Sequence, residues 1–210
     1  MCSSDLGLSK IAVFIVLAPL IGLAVAFIFM IIVLRVAARF HNVDRLNRRF
    51  RRLQLVSAGA YSLGHGGNDA QKTMGVILAL LIATHKVAAT SDVPLWVVLA
   101  AHSAIALGTL SGGWRVVHTL GTRITKLQPS GGVAAESAAA ATLFFVSARG
   151  IPVSTTHTIT GAIVGVGSVR RASAVRWGVA GNIVWAWIFT IPASAFVAGV
   201  AYWVSLALFP

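Results

Sequence analysis

Acidic residues are scarce in this chain: 5 Asp and Glu stand among 210 residues, against 17 Lys and Arg. Charge of either sign makes up 10% of the residues, where a soluble domain usually carries about a quarter. So few charges cannot cover a water-exposed surface. With 57% hydrophobic residues and a mean hydropathy of +0.85, the bilayer is the expected solvent. Cysteine is nearly absent too, and the single Cys2 excludes an internal disulfide. The opening Met1-Cys2-Ser3-Ser4-Asp5 lacks the regions of a signal peptide and reads as a short polar tail, or as the ragged start of an incomplete chain. No nucleophile–base pair or metal-ligand cluster accompanies the scattered histidines, so a membrane enzyme is not expected. The net charge of +12 would suggest nucleic acid on a soluble protein. No aromatic-basic platform interrupts the apolar runs here, and no nucleic-acid partner is expected.

What the chain does have is long apolar runs separated by short basic stretches. Residues 11–38 are long enough to span a bilayer with some tilt, with Pro19 and Gly22 as kink points. Residues 39–52 hold six arginines against Asp44, with Phe40, Val43, Leu46 and Phe50 at helical spacing; they predict a basic amphipathic helix at the cytoplasmic interface. Residues 53–84 are apolar apart from a polar interruption at 64–73, which predicts one broken transmembrane helix. A third span is expected over 93–112, an amphipathic stretch over 114–128, and a last span over 177–209. Between the last two lie the apolar runs 131–148 and 152–169. The basic stretches at 39–52, 115–126 and 170–176 all belong on the cytoplasmic side by the positive-inside rule. The chain must therefore enter and return between the last two. Either both runs cross, or residues 131–169 form a re-entrant hairpin whose tip near Pro152 lies at mid-depth; the small and polar tip favours the hairpin. The expected fold is an all-α integral membrane protein, a single multi-pass transmembrane domain over residues 1–210.

The two polar interruptions carry the chemistry. Pro152 suits the start of a helix, which would put Ser154, Thr155 and Thr156 in a first turn whose N–H groups lack partners. Free amides, hydroxyls and the positive helix end favour a tetrahedral oxyanion, phosphate or sulfate. The plainer reading, hydroxyls that cap the helix or pack between helices, stays open. In the other interruption Asp69 and Lys72 share a helical face and can pair. Asn68 offers both donor and acceptor, and Gly64, Gly66 and Gly67 permit an unwound backbone. A structural ion pair is the competing reading. Glu136 is the second acid expected within the membrane, a candidate proton relay or sodium ligand together with Asp69 unless it sits at the interface. His65 and His157 are titratable candidates, although a membrane histidine is more often a helix contact. His102 and His118 read as structural.

Gly66-Gly67-Asn68-Asp69 and Pro152-Val153-Ser154-Thr155-Thr156-His157 resemble the paired signatures of the PiT (PHO4) inorganic phosphate transporter family. The fuller strings 65–75 and 152–167 look like its bacterial low-affinity permease branch. The resemblance implies two inverted repeats, each with an Asn-Asp helix break and a Ser-Thr re-entrant hairpin, with phosphate between them. It makes Asn68, Asp69, Ser154, Thr155 and Thr156 the expected substrate ligands, and Asp69, Lys72 and Glu136 the ion-coupling residues. Lys72 stands where sodium-coupled members tend to have Asn, so a proton is favoured over sodium as coupling ion; a sodium ion at Asp69 and Glu136 is the other option. No further cofactor is expected. The implied function is phosphate symport by alternating access in the bacterial inner membrane, with a sulfate or other oxyanion permease as the alternative. One Asn-Asp motif and one hairpin make the chain an expected C-terminal repeat whose N-terminal repeat is missing. The alternative is a homodimer of opposite orientations, which the one-sided basic loops oppose.

Overall fold

The computed structural model describes residues 2–208, and every long element among them is an α-helix. They are α1 (Cys2–Ala37), α2 (Val43–Ala83), α3 (Leu95–His118), α4 (Pro129–Ala148), α5 (Thr155–Arg170) and α6 (Trp177–Leu208). Helix α1 thus includes most of the expected polar tail, while Met1 and Phe209 lie outside the described residues. Four helices are long and apolar enough to cross a membrane: Ser9–Ala37, Leu95–Trp114, Pro129–Ala148 and Trp177–Leu208. The chain divides into two compact units, one through Val175 and one from Arg176 onward. In the second unit α6 is apolar all round, the composition of a membrane span, with Pro192 inside it.

In the first unit α1 ends in a tight turn at 38–42, and Asn42 caps α2 by accepting the Arg45 N–H at 2.9 Å. The basic segment 39–52 is therefore that turn plus the first turns of α2, not a helix of its own. At 41 residues α2 is about 61 Å long, twice a ~30 Å hydrocarbon layer, so its arginine-rich start has length to spare outside the bilayer. The expected break at 64–73 is absent: α2 runs through it without interruption. Each glycine costs a helix only about 1 kcal/mol relative to alanine, a cost that packing along the helix offsets. Gly64 shows that packing at work. A Cβ there would lie 3.3 Å from the Leu143 Cβ on α4, so this glycine serves close approach rather than unwinding.

Helix α3 passes into a π-helical turn at Thr119–Arg123, and 124–128 lead irregularly to Pro129 at the start of α4. The amphipathic segment expected over 114–128 is thus divided among three conformations. Helices α4 and α5 form a helical hairpin. Its turn is closed by Gly150, whose φ of +64° is strained for any residue with a Cβ, and by N–H bonds from residues 149–151 back to the Val146 and Ser147 carbonyls. Helix α5 starts at Thr155 rather than Pro152, because Ser154 takes the capping role and accepts the His157 N–H at 3.4 Å.

The tightest packing joins α1 to α5. Gly161 and Gly165 let α5 lie directly on the Pro19 and Leu23 carbonyls, and Gly22 of α1 receives the Thr158 carbonyl in the same way. Small residues four apart give this backbone-to-backbone approach, the usual means of holding helices together in lipid. Pro19 has no N–H to give the Ile15 carbonyl one turn back. His157 Nδ1 of α5 lies 3.4 Å from that oxygen, so the proline's missing donor is supplied across the interface.

Candidate functional site

Helix α2 meets the hairpin tip through a run of polar side chains one to two turns apart. Asp69 is at the centre. Its Oδ1 accepts from Lys72 Nζ at 2.9 Å, and its Oδ2 accepts from Thr155 Oγ1 at 3.1 Å. His65 Nδ1 lies 3.2 Å from the same Oδ2 and 2.8 Å from Thr155 Oγ1. Lys72 Nζ also donates to the Val153 carbonyl at 2.7 Å, so the ammonium bridges α2 to the tip. One turn back, Asn68 Nδ2 donates to Ser147 Oγ at 3.1 Å, at the last turn of α4. The i, i+3 and i, i+4 spacings of 65, 68, 69 and 72 place these groups on one stripe of α2. The cap at Ser154 places Thr155 at the first turn of α5, facing that stripe.

Burial divides the set. Thr155 is 2% exposed and Asn68 4%, while Asp69 and Lys72 keep 31% and 43% of their side chains open. Asn68 Oδ1 is buried with no hydrogen-bond partner among the described residues, an acceptor that calls for a donor. A cavity of about 210 Å³ opens beside it, bounded by Asn68, Gln71, Lys72, Ser147, Gly150 and Pro152. A larger cleft of about 620 Å³ adjoins it between α1, α2 and the tip, and Lys72 and Pro152 line both. At the tip, the N–H groups of Thr155 and Thr156 fall outside the intrahelical pattern, because Ser154 serves His157 and Thr158. Helix end, amides, hydroxyl and ammonium together suit an oxyanion.

Not every expected site residue joins this cluster. The Thr156 side chain is exposed. Glu136 lies elsewhere: its Oε2 accepts from Ser57 Oγ at 2.6 Å, with Gln54 as a second side-chain partner. Ser57 precedes Asp69 by twelve residues, about 18 Å along α2, so the two acids do not share a ligand. Three contributors were not foreseen from sequence: Ser57, Ser147 and the Val153 carbonyl. Their partners are 79 to 81 residues away in the chain, and nothing in local spacing announces them.

Comparison with known proteins identifies the family. Residues 2–198 match the family described as the phosphate transporter family, PHO4. A probable low-affinity inorganic phosphate transporter of Rhizobium meliloti (strain 1021) is 55% identical over 196 residues, covering 93% of this chain and 58% of that protein. Its counterpart in Bacillus subtilis (strain 168) is 38% identical over 203 residues, covering 97% and 61%. The chain thus spans about three-fifths of the length of these curated relatives. Among solved structures, one titled "The sodium-dependent phosphate transporter" has the same fold, with a TM-score of 0.79 and 24% identity, over 95% of this chain and 66% of that one. The relatives are named as transporters and permeases, not enzymes. With all but a few of its residues matched, this all-α membrane chain belongs to the phosphate transporter family.

Proposed function

We propose that this chain forms one repeat of an inorganic phosphate permease of the bacterial plasma membrane, and that phosphate binds between α2 and the hairpin tip. The observation that carries this reading is the convergence of Asn68, Asp69 and Lys72 on the hairpin tip beside a cavity. Lys72 and the α5 N-terminus attract the anion. Thr155 and the tip amides offer donors, and Asn68 and Asp69 offer acceptors. Acceptors discriminate between oxyanions: protonated phosphate can donate to Asn68 Oδ1, whereas sulfate carries no proton at neutral pH. Phosphate is therefore favoured over sulfate, and competition by sulfate in an uptake assay tests that choice.

The coupling ion in this reading is a proton. The Lys72 ammonium is held by a carboxylate and a main-chain carbonyl, the oxygen ligands a sodium ion would use, so the protein's own cation fills that place. Glu136 serves as a separate protonation point on the α2–α4 contact. Transport follows by alternating access around the tip, with the partner repeat completing the site. That partner is the N-terminal repeat of the same transporter; basic loops confined to one side oppose a homodimer of opposed orientations. Helix α5 is about 24 Å long, and Ile15, whose carbonyl meets His157, stands about 30 Å from Arg35 along α1.

The experiment is phosphate uptake by the full-length transporter in cells without other phosphate permeases. Asp69→Asn and Thr155→Val should each abolish most uptake. Uptake that survives both refutes the site. Uptake abolished by a protonophore and indifferent to sodium supports the proton; the reverse pattern refutes it.

A further inference from the structure

The phosphate reading names Glu136 as a protonation point away from the anion and leaves open which residue binds the proton that travels with the anion. Asp69 is already tied to Lys72 and Thr155, and Glu136 sits about 18 Å away along α2. His65 is the remaining titratable group in the Asp69 cluster, and its hydrogen-bond geometry is informative.

Three atoms form a closed triangle: His65 Nδ1, Thr155 Oγ1 and Asp69 Oδ2, at 2.8, 3.1 and 3.2 Å. The threonine has one proton to give. If Nδ1 were bare, that proton could satisfy the ring or the carboxylate but not both, and Nδ1 and Oδ2 would face each other as two acceptors. Placing a proton on Nδ1 resolves the triangle. The ring then donates toward Thr155 and Asp69, and Thr155 donates to Asp69. The neutral ring is therefore the Nδ1–H tautomer, and Nε2 is the nitrogen that gains or loses a proton. The side chain is 32% exposed, so protons can reach it.

The charges around it set the consequence. On α2, Asp69 and Lys72 cancel, and Tyr61 stacks on the imidazole at 5.9 Å as a neutral phenol. On α5, Thr155 and His157 lie at the tip; on α4, Glu136 is turned to Ser57. Helix α1 brings the apolar Phe14 and Ala18. With His65 neutral, the cluster of 65, 69 and 72 carries no net charge and gives an anion nothing to neutralise. With His65 protonated it carries +1, beside the cavity bounded by Asn68 and Lys72.

We propose that His65 is the proton-binding residue of coupled transport. Its protonation supplies the positive charge that lets the anion enter, and the bound anion in turn holds the proton. By reciprocity each ligand raises the other's affinity by the same factor. This rests on the phosphate reading above. It assigns to Lys72 and Asp69 a fixed charge pair and to His65 the charge that changes.

The test uses proteoliposomes containing the full-length transporter and compares two modes. Accumulation driven by an imposed pH gradient needs net proton movement; phosphate–phosphate exchange at equal pH does not. His65→Gln keeps a neutral donor and acceptor but cannot carry the charge that admits the anion, so it should lower accumulation and exchange alike by about tenfold or more. Accumulation equal to wild type overturns the proposal. If both modes are lost, infrared difference spectra of the wild-type protein with 15N-labelled histidine decide. Phosphate addition should raise an imidazolium band, and its absence refutes the assignment. A wild-type protein that exchanges no phosphate refutes the phosphate reading instead, a separable failure.

Discussion

Replacing Gly161 by alanine adds one methyl group and should disrupt the tip by loosening its support. A Cβ at 161 would lie 2.1 Å from the Pro19 oxygen, 2.8 Å from its carbonyl carbon and 2.9 Å from its Cα. All three are backbone atoms of a helix, which cannot rotate aside as a side chain end would. A carbon–oxygen contact needs about 3.3 Å, so α1 and α5 must separate by roughly 1 Å. That separation also weakens the neighbouring contacts of Gly165 with Leu23 and of Gly22 with Thr158, and stretches the 3.4 Å approach of His157 to Ile15. Alanine improves helix propensity by about 1 kcal/mol, while overpacking costs about 1–3 kcal/mol and more where backbone must move. The net expectation is a destabilisation of about 1–2 kcal/mol together with reduced phosphate uptake, because Ser154 and Thr155 ride on α5. Gly108→Ala is the control: nothing lies within 4 Å of its Cβ, so it should be neutral or slightly stabilising. Thermal unfolding of the purified transporter in detergent measures both. Equal melting temperatures for the two variants would refute the claim that α1 and α5 are held by backbone contact.

Further outcomes follow from individual contacts. Thr155→Val removes a hydroxyl that serves His65 and Asp69 and should cut uptake by about tenfold or more, whereas Thr155→Ser, which keeps the hydroxyl, should restore most of it. Lys72→Met should weaken phosphate affinity, read as a raised KM, because the tip loses both its ammonium and the bridge to the Val153 carbonyl. Glu136→Gln retains an acceptor for Ser57 and should leave the stability within about 1 kcal/mol of wild type; a loss of uptake in that folded variant would mark the carboxylate as a proton carrier. Gly150→Ala should destabilise the hairpin by about 1 kcal/mol, since its φ of +64° is strained for alanine; an unchanged melting temperature would count against the turn as described.

The apolar runs were legible because a bilayer imposes a length and a composition. The spans at 11–38, 93–112 and 177–209 correspond to the membrane-capable segments Ser9–Ala37, Leu95–Trp114 and Trp177–Leu208 within two residues over the described residues. The turn between α4 and α5 was legible for a different reason: glycine and proline at 150 and 152 mark it chemically. The misreading at 64–73 has a physical cause. Polar residues and glycines at membrane depth permit unwinding, but they equally permit a helix that presents a polar stripe to one neighbour and a small-residue notch to another. Sequence spacing cannot tell these apart, because the deciding contact, Gly64 on Leu143, joins segments far apart in the chain. The same holds for Glu136, whose pairing with Ser57 rather than Asp69 depends on where α4 crosses α2.

Two kinds of contact hold the tip, and their difference bears on how it can move. Helix α5 rests on α1 through main-chain atoms that interlock at three glycines, so any shift must break several contacts at once. Helix α2 touches the tip through the termini of long or small polar side chains: the Lys72 ammonium, the His65 ring, the Asn68 amide and the Thr155 hydroxyl. Such contacts exchange partners at small cost when a better donor or acceptor arrives, and a bound oxyanion is a stronger acceptor for Lys72 than the Val153 carbonyl is. In the proposed reading, substrate therefore acts on the one face of the tip that side chains alone secure. Cysteine cross-links should separate the two faces: a link from α1 to α5 should leave transport intact, while a link from α2 to the tip should arrest it. Arrest by the α1–α5 link would show that the interlocked face is the one that moves.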